Sequence, residues 1–286
     1  MKNWLIALML VLLAAAAYYY LAVSRSQVEE APPPPIPSVA IVKPKPEPVP
    51  APVIVEPVEE EIIEVAPEPE IVDEAKVLPA LNESDEFVVE SLSGLVGESS
   101  VMRFLVSDNV ISRVVASVDA LTARQVPGQI SAARELNGEF LATVNEQPIE
   151  VIRNAEGDPI PQYLLNPANY QRYEPQVELF EAINTEELMA LYENYMPLFQ
   201  QAYTELGYPD GDFNERLIEV IDSLLAAPEI HEPLRLIKPE AFYLLTNPDL
   251  EALPAGQKVL LRMGPDNARR VKVKLQEIRA ALVSSD

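Results

Sequence analysis

A short segment near the C-terminus carries residue types that suit the binding of a small anion. Gly264 is expected to end one helix and Pro265 to begin the next, so the first backbone N–H groups of the second helix can face a carboxylate or another anion. Arg262, Asn267 and Arg269 add side-chain donors beside this junction. The same residues also fit an ordinary tight connection between two packed helices, and both interpretations stay open.

A second group of residues, Tyr170, Arg172 and Tyr173, combines two aromatic rings with a guanidinium group. Aromatic faces beside an arginine can stack on a sugar or on a peptide. The alternative is a packing motif at the entrance of a helix, in which the rings serve the domain itself. Together with the first group, these residues form the predicted ligand-binding set.

The composition leaves little room for catalytic or metal-binding chemistry. The chain has no Cys and a single His, which excludes thiol nucleophiles, disulfides and cysteine-based zinc or iron–sulfur sites. His231 is interpreted as a loop residue. Asp210, Asp212 and Asn214 begin like a calcium loop, but Glu215 stands where glycine is needed, so an EF-hand is rejected. The sequence therefore predicts no catalytic residue, no metal site and no cofactor.

The acidic composition argues against a nucleic-acid partner. The formal net charge is −24 and the isoelectric point is near 4.4, and such a chain repels a phosphate backbone. The 45 Asp and Glu residues also prevent any one pair of carboxylates from being singled out as an acid–base dyad.

The first two dozen residues predict a membrane anchor. Residues 3–23 contain no charge, and as a helix these 21 residues would extend about 31 Å, enough for a bilayer core. Trp4 and the tyrosine triplet at 18–20 suit the two membrane interfaces. The alternative is a cleaved signal peptide, with Ala14–Ala17 supplying the small residues for cleavage. We favour an uncleaved anchor that spans residues 1–26. This gives a single-pass protein of a bacterial inner membrane with its C-terminal domain in the periplasm.

A disordered linker rich in proline and glutamate is predicted over residues 27–78. Half of the 28 prolines lie between Pro32 and Pro79. Proline lacks a backbone N–H and fixes φ near the polyproline II value, so this composition favours an extended spacer. The apolar islets at 53–55 and 62–63 leave open the alternative that parts of the linker dock onto a partner.

Residues 79–286 are predicted to form a soluble, mainly helical domain of the α+β class with a few short strands. Apolar residues recur at helical spacing in 85–95, 98–106, 109–121, 174–183, 186–206, 213–226, 255–263 and 266–283. Short strands are predicted at 140–144, 149–152, 234–238 and 241–245.

Capping residues give the expected ends of several helices. Ser84 and Asp212 are predicted N-caps, and either Asn184 or Thr185 caps the helix that follows. Gly207 is placed to end that helix, because glycine adopts the left-handed conformation at little cost.

Three segments of the soluble region are similar to a known protein family. They are Asn-Tyr-Gln-Arg-Tyr at 169–173, Ala-Tyr-Thr-Glu-Leu-Gly-Tyr-Pro at 202–209 and Gln-Lys-Val-Leu-Leu-Arg-Met-Gly-Pro-Asp-Asn at 257–267. From Leu78 to the C-terminus the region resembles DUF3014, a proteobacterial family of unknown function. The resemblance implies the same layout of anchor, linker and domain, and it implies no activity.

Two functions remain at this point, and we favour the first. The first is a non-enzymatic envelope protein that is held at the inner membrane and binds a protein or a cell-wall partner. The second is an envelope hydrolase or lyase that acts on peptidoglycan or glycan with carboxylates as acid and base. A deep cleft with two facing carboxylates of raised pKa would favour the enzyme, and a shallow apolar patch would favour the binding protein.

Overall fold

The computed structural model describes residues 78–285 apart from 127–129, 135, 137, 155 and 240–242. The predicted anchor at 1–26 and nearly all of the predicted linker at 27–78 lie outside the described residues. The described part is mainly helical and contains a four-stranded antiparallel sheet, which confirms the predicted class of the domain. No helix in this part combines the length and the apolar character needed to cross a bilayer.

Helices make up most of the described chain, and their bounds follow the predicted periodicity. They are Asp85–Val96 (α1), Glu98–Phe104 (α2), Val110–Ala120 (α3), Glu174–Ala182 (α4), Thr185–Leu206 (α5), Phe213–Leu225 (α6), Pro248–Glu251 (α7), Ala255–Arg262 (α8) and Pro265–Ser285 (α9). The sequence does not predict the four-residue α7. Short 3₁₀ turns at Leu81–Glu83 and Pro167–Arg172 come before α1 and α4.

Capping side chains explain where several of these helices begin. Asn184 Oδ1 accepts the backbone N–H of Glu187 at 3.0 Å at the start of α5, which decides in favour of Asn184 as the cap. Asp212 Oδ1 accepts the N–H of Glu215 at 2.9 Å at the start of α6. Ser84 is the N-cap residue of α1, as predicted, but its side chain makes no capping hydrogen bond. Ser84 already has helical φ and ψ because it continues the preceding 3₁₀ turn, and its Oγ donates to a carbonyl three residues earlier.

The strands are Ala142–Val144 (β1), Gln162–Leu165 (β2), Arg235–Ile237 (β3) and Leu244–Leu245 (β4). They form one sheet in the order β1-β2-β3-β4, and each neighbouring pair is antiparallel. The predicted strands at 140–144, 234–238 and 241–245 fall on β1, β3 and β4.

The predicted strand at 149–152 is wrong, and β2 lies at residues where the sequence predicts no strand. Residues 145–161 form a long connection that returns the chain to β2, and Gln162 holds it by donating to the Glu150 carbonyl. The chain instead turns back on itself just after this segment, where the N–H of Ile160 donates to the Ile152 carbonyl at 2.8 Å. Prolines on both sides of β2 hide its extended character in the sequence.

The main hydrophobic core lies among the helices, with α9 near its centre. α9 packs against α4, α5, α6 and α8. Its Val271, Leu275, Ile278 and Leu282 recur every three or four residues and are buried, so one face of the helix is apolar throughout. Removing this face from water is the main gain that fixes α9 in the domain.

A smaller core fills the space between the sheet and α8. Leu165, Leu236 and Leu245 come from one face of the sheet and pack with Leu261 of α8. The neighbouring Leu260 belongs to the main core, and every residue of α8 is buried. α8 therefore joins the helical part of the domain to the sheet.

Candidate functional site

The two predicted ligand-binding groups lie together, although they are 97 residues apart in sequence. Tyr170 packs its ring against Gly264, and a Cβ on this glycine would come within 2.6 Å of Tyr170 Cγ. Gly264 also has a φ of +88°, which side chains rarely tolerate. The contact attaches the 3₁₀ turn Pro167–Arg172 to the connection between α8 and α9.

Asn267 fixes the same contact with hydrogen bonds. Its Nδ2 donates to the carbonyls of Tyr170 and Met263, both at 3.0 Å. Its Oδ1 accepts from Arg270 Nη1 at 3.3 Å. Because the residue is only 5% exposed and both ends of its amide are engaged, it has a structural role at this position.

Arg172 and Tyr173 make contacts of their own. Arg172 Nη2 donates to the Gly138 carbonyl at 2.9 Å, which ties the 3₁₀ turn to the chain before β1. Tyr173 is buried in the main core, whereas the ring of Tyr170 packs with the smaller core. The two rings therefore do not form one exposed stacking platform, as a sugar-binding site would need.

Arg262 and Arg269 differ in burial. Arg262 ends α8 and is 3% exposed. Arg269 lies at the surface in the first turns of α9 and pairs with Asp266 at 2.8 Å. The two guanidinium groups are thus not presented on one surface, and ligand binding by the predicted set stays a prediction.

Arg269 lines a cleft of about 240 Å³ between the end of α6 and the first turns of α9. Its basic residues are His231, Arg269 and Lys272, and its acidic residues are Glu229 and Asp266. Lys272 Nζ donates to a backbone carbonyl at 2.5 Å, and Arg269 is paired with Asp266. Two of the three basic groups are therefore already engaged, and the charges of the cleft offset one another. The sequence predicts a loop at His231 and gives no sign of this cleft.

The carboxyl groups with shifted pKa values are those that pair with basic side chains. A hydrogen bond from Arg279 lowers the pKa of Asp222. Hydrogen bonds from Lys274 and Thr185 lower the pKa of Glu277. A general acid needs the opposite shift. No group of three or more His, Asp or Glu side chains between residues 78 and 285, in the parts described, is placed to hold a metal ion.

Exposed apolar side chains are concentrated in a short stretch of the sequence that includes β1. Leu141, Val144, Ile149 and Val151 are 42, 60, 78 and 54% exposed, and we call these four residues the β1 surface. They account for four of the ten large apolar side chains that are exposed in the described part of the chain, yet they lie within eleven consecutive residues. The sequence marks the same apolar runs as strands, but it does not tell which strand lies at the edge of the sheet.

One edge of the sheet, at β4, is closed by other parts of the domain. The backbone N–H of Leu245 points away from β3 and donates to Glu251 Oε2 at 2.8 Å. α7, which carries Glu251, packs against β4. Lys258 Nζ holds the same carboxylate from the other side, at 2.9 Å.

The other edge, at β1, is open as far as the described residues show. The N–H of Asn145 donates to the carbonyl of Gln162 at 2.8 Å, and the Leu141 carbonyl accepts from Asn166 at 3.2 Å, so the odd-numbered residues of this segment face β2. Bonding alternates along an antiparallel strand. Ala142 and Val144 therefore turn their backbone N–H and C=O groups to the outside, where no described residue bonds to them.

Comparison with known proteins gives a family and no activity. A family model described as a protein of unknown function, DUF3014, matches residues 110–279. The match includes the segments at 169–173, 202–209 and 257–267 and confirms the resemblance over this range, while residues 78–109 lie outside it. No curated protein and no solved structure matches the chain.

Proposed function

We propose a binding function for this chain, which belongs to the DUF3014 family. The domain recognises a protein partner through the β1 surface and performs no reaction of its own. The observation that carries this proposal is the concentration of exposed apolar side chains at residues 141–151. Large exposed apolar patches on soluble domains mark sites that a partner covers, and these four exposed side chains lie close together in sequence.

A protein partner suits the β1 surface better than a glycan does. Leu141, Val144, Ile149 and Val151 are all aliphatic. Sugars are held by aromatic faces and by polar groups, whereas aliphatic side chains gain from the exclusion of water by another apolar surface. The peptidoglycan is therefore not the partner that this surface favours.

The location of the domain is part of the proposal. Residues 3–23 anchor the chain in the inner membrane, and the linker at 27–78 carries the domain into the periplasm. The uncharged run and the proline content support this layout. About 50 residues at ~3.1 Å each would reach ~150 Å, and a long tether helps a binding domain to find a distant target.

A hydrolase is not proposed, since the described residues supply no observation in its favour. Asp222 and Glu277 are ion-paired, and their pKa values are lowered. Glu229 and Asp266, the acidic residues of the cleft, are exposed to solvent. Exposed carboxylates in water do not become general acids at neutral pH without a local cause.

Photo-crosslinking in intact cells tests the binding function. A photoreactive phenylalanine analogue replaces Ile149 in the full chain, and a matched variant carries it at Val273, which is 53% exposed on α9. We expect discrete crosslinked species from the Ile149 position and none from the Val273 position. Equal labelling at both positions, or labelling at neither, would contradict a specific binding role for the β1 surface.

A separate experiment tests the location. A reporter enzyme that is active only outside the cytoplasm is fused after Asp286, and the membranes are then extracted. We expect an active reporter and a chain that leaves the membrane only in detergent. Release of the full-length chain by salt alone would disprove the anchor.

A further inference from the structure

We propose that the partner binds β1 as an added strand and extends the sheet from four strands to five. This inference rests on the binding function proposed above and specifies its mode. The bound segment is extended, basic and β-branched at alternate positions, and it belongs to another protein. The open edge, the apolar side chain beside it and the surrounding charge each support one part of this description.

The backbone of β1 supplies the hydrogen-bonding groups for an added strand. The outward N–H and C=O groups of Ala142 and Val144 lie on the side of β1 that faces away from β2. A strand laid along this side accepts from and donates to both residues without disturbing the existing pairs. Such a row of open groups is the usual template for strand addition.

The two edges of the sheet differ, because β4 is covered by other parts of the domain. At β4 a carboxylate, Glu251, takes the outward N–H of Leu245, and α7 covers the strand. At β1 none of the described residues performs either task. The open edge is therefore specific to the side of the sheet that also carries the exposed apolar residues.

The side chain of Val144 selects an apolar neighbour. In the strand register Val144 lies opposite Tyr163, and Tyr163 lies opposite Leu236, so the three share one face of the sheet. Leu236 is buried, but Val144 at the end of the row is 60% exposed. A β-branched residue in the added strand would pack beside Val144 and continue this row.

The charge around β1 selects a basic segment. Glu139, Glu146 and Glu150 are exposed, and no Lys or Arg occurs between residues 138 and 152. Arg153 and Arg172 lie next to this stretch, where they donate to the carbonyls of Gly157 and Gly138. A second copy of this chain would bring the same acidic residues to the edge. The chain's own apolar islets at 53–55 and 62–63 are also accompanied by glutamates. Like charges oppose both of these occupants, whereas lysines in a partner would be attracted.

The test uses the purified full chain and a labelled probe peptide, Ac-KVKVKVK-NH2. Fluorescence anisotropy gives the affinity, and hydrogen–deuterium exchange locates the contact. We expect binding to slow exchange at Ala142 and Val144, because their outward N–H groups gain acceptors. The matched control peptide is N-methylated at its valines, so it keeps the charge and loses these donors. We expect it to bind at least about tenfold more weakly, since several hydrogen bonds are lost.

Two variants at one position separate the backbone of β1 from its side chain. Val144→Pro removes one outward N–H and leaves the pairing with β2 intact, which an edge strand tolerates. Val144→Thr keeps the N–H and changes the side chain. We expect a roughly three- to tenfold loss of affinity for Val144→Pro and a smaller loss of about two- to threefold for Val144→Thr, because the hydroxyl group weakens the apolar contact while the N–H remains. Thermal unfolding of both variants checks the fold, and the N-methylated peptide decides the matter if Val144→Pro unfolds.

Several results would overturn the strand addition. Equal binding of the N-methylated peptide, or of an acidic peptide Ac-EVEVEVE-NH2, would show that neither the edge nor its charge selects the ligand. Concentration-dependent protection of Ala142 and Val144 without a probe would assign the edge to a second copy. Protection that disappears when residues 53–63 are deleted would assign it to the linker. If the probe peptide does not bind but the Ile149 position still crosslinks in cells, only the strand addition is disproved. If neither occurs, the binding function is disproved as well.

Discussion

Helix α9 and the β1 surface use their side chains in opposite ways. On α9, Arg270 pairs with Glu174 and Glu181 of α4 at 3.1 and 2.5 Å, and Arg279 pairs with Asp222 of α6. The basic residues of this helix thus hold neighbouring helices in place. The β1 surface has neither buried its apolar side chains nor paired its outer backbone groups within the described residues.

This difference changes where recognition is expected. The motif with the most suggestive residues, Arg262 to Asn267, makes internal contacts, because Gly264 receives the ring of Tyr170 and Asn267 bonds across the same joint. The β1 region has no suggestive motif, yet it leaves a binding surface uncovered. Residues that can bind a ligand are often engaged by the fold itself, so exposure separates the two regions better than residue type does.

The largest expected effect comes from the buried face of α9. Leu275 has no solvent exposure, so Leu275→Ala removes packed methyl groups and leaves a cavity. We expect the free energy of unfolding to fall by about 2–5 kcal/mol, as measured by urea denaturation. The control is Val273→Ala on the same helix, where the side chain is 53% exposed and the expected cost is below about 1 kcal/mol. Equal costs at the two positions would break the contrast between buried and exposed faces.

The contact between Tyr170 and Gly264, which joins the two predicted ligand-binding groups, gives the next largest effect on stability. Gly264→Ala places a methyl group against the ring of Tyr170 at a φ of +88°, and we expect a loss of about 2–3 kcal/mol in unfolding free energy. The control is Gly94→Ala, because a Cβ at Gly94 in α1 meets nothing within 4 Å. That change should stabilise the domain by roughly 0.5–1 kcal/mol, since alanine favours a helix. A neutral Gly264→Ala would mean that Tyr170 does not pack there.

The closed edge of the sheet offers a smaller effect. Glu251→Gln keeps an oxygen for the Leu245 N–H but removes the charge that neutralises Lys258, whose side chain is 7% exposed. We expect a cost of about 1–3 kcal/mol in thermal or urea unfolding, because a buried ammonium group loses its partner. Glu232→Gln is the control. The Glu232 side chain is 86% exposed and lies 4.0 Å from Arg235. Loss of this ion pair should lower the free energy of unfolding by less than about 0.5 kcal/mol.

The helical part of the fold could be predicted because its signals are local. Asn184 and Asp212 cap their helices within three residues, and the apolar positions of α9 repeat along one face. Ser84 marks the start of α1 as predicted, but its side chain does not cap the helix, because the preceding 3₁₀ turn, which no local pattern marks, sets its conformation. β2 is missed for a similar reason, as its strand identity depends on β1 and β3 rather than on its own alternation.

The candidate surface could not be predicted, because it depends on the order of the strands. Val144 and Leu165 are both apolar strand residues, but β1 lies at an edge and β2 lies inside the sheet, so Val144 is 60% exposed and Leu165 is 1% exposed. The meeting of Tyr170 with Gly264 depends likewise on a tertiary contact between segments far apart in sequence. The sequence identifies these residues as candidates and leaves their neighbours undetermined.

The smallest effect concerns pH and the ion pairs of the C-terminal helix. Hydrogen bonds from Arg279 lower the pKa of Asp222, and those from Lys274 lower the pKa of Glu277. A lowered pKa in the folded state contributes stability above the unfolded value, near 4, and this contribution is lost as the pH falls through the folded value. The urea concentration at the unfolding midpoint should therefore decrease as the pH is lowered below about 5. The double change Asp222→Asn with Glu277→Gln should make this decrease smaller.

Glu193→Gln, at an exposed position of α5, is the matched control and should leave the slope unchanged. Val144→Thr should leave it unchanged as well, because the four residues of the β1 surface are aliphatic and carry no charge. If the double variant keeps the full slope, the ion pairs of Arg279 and Lys274 do not stabilise the domain in solution. Burial alone would then distinguish α9 from the β1 surface, and the basic residues of the helix would again be open to an external ligand.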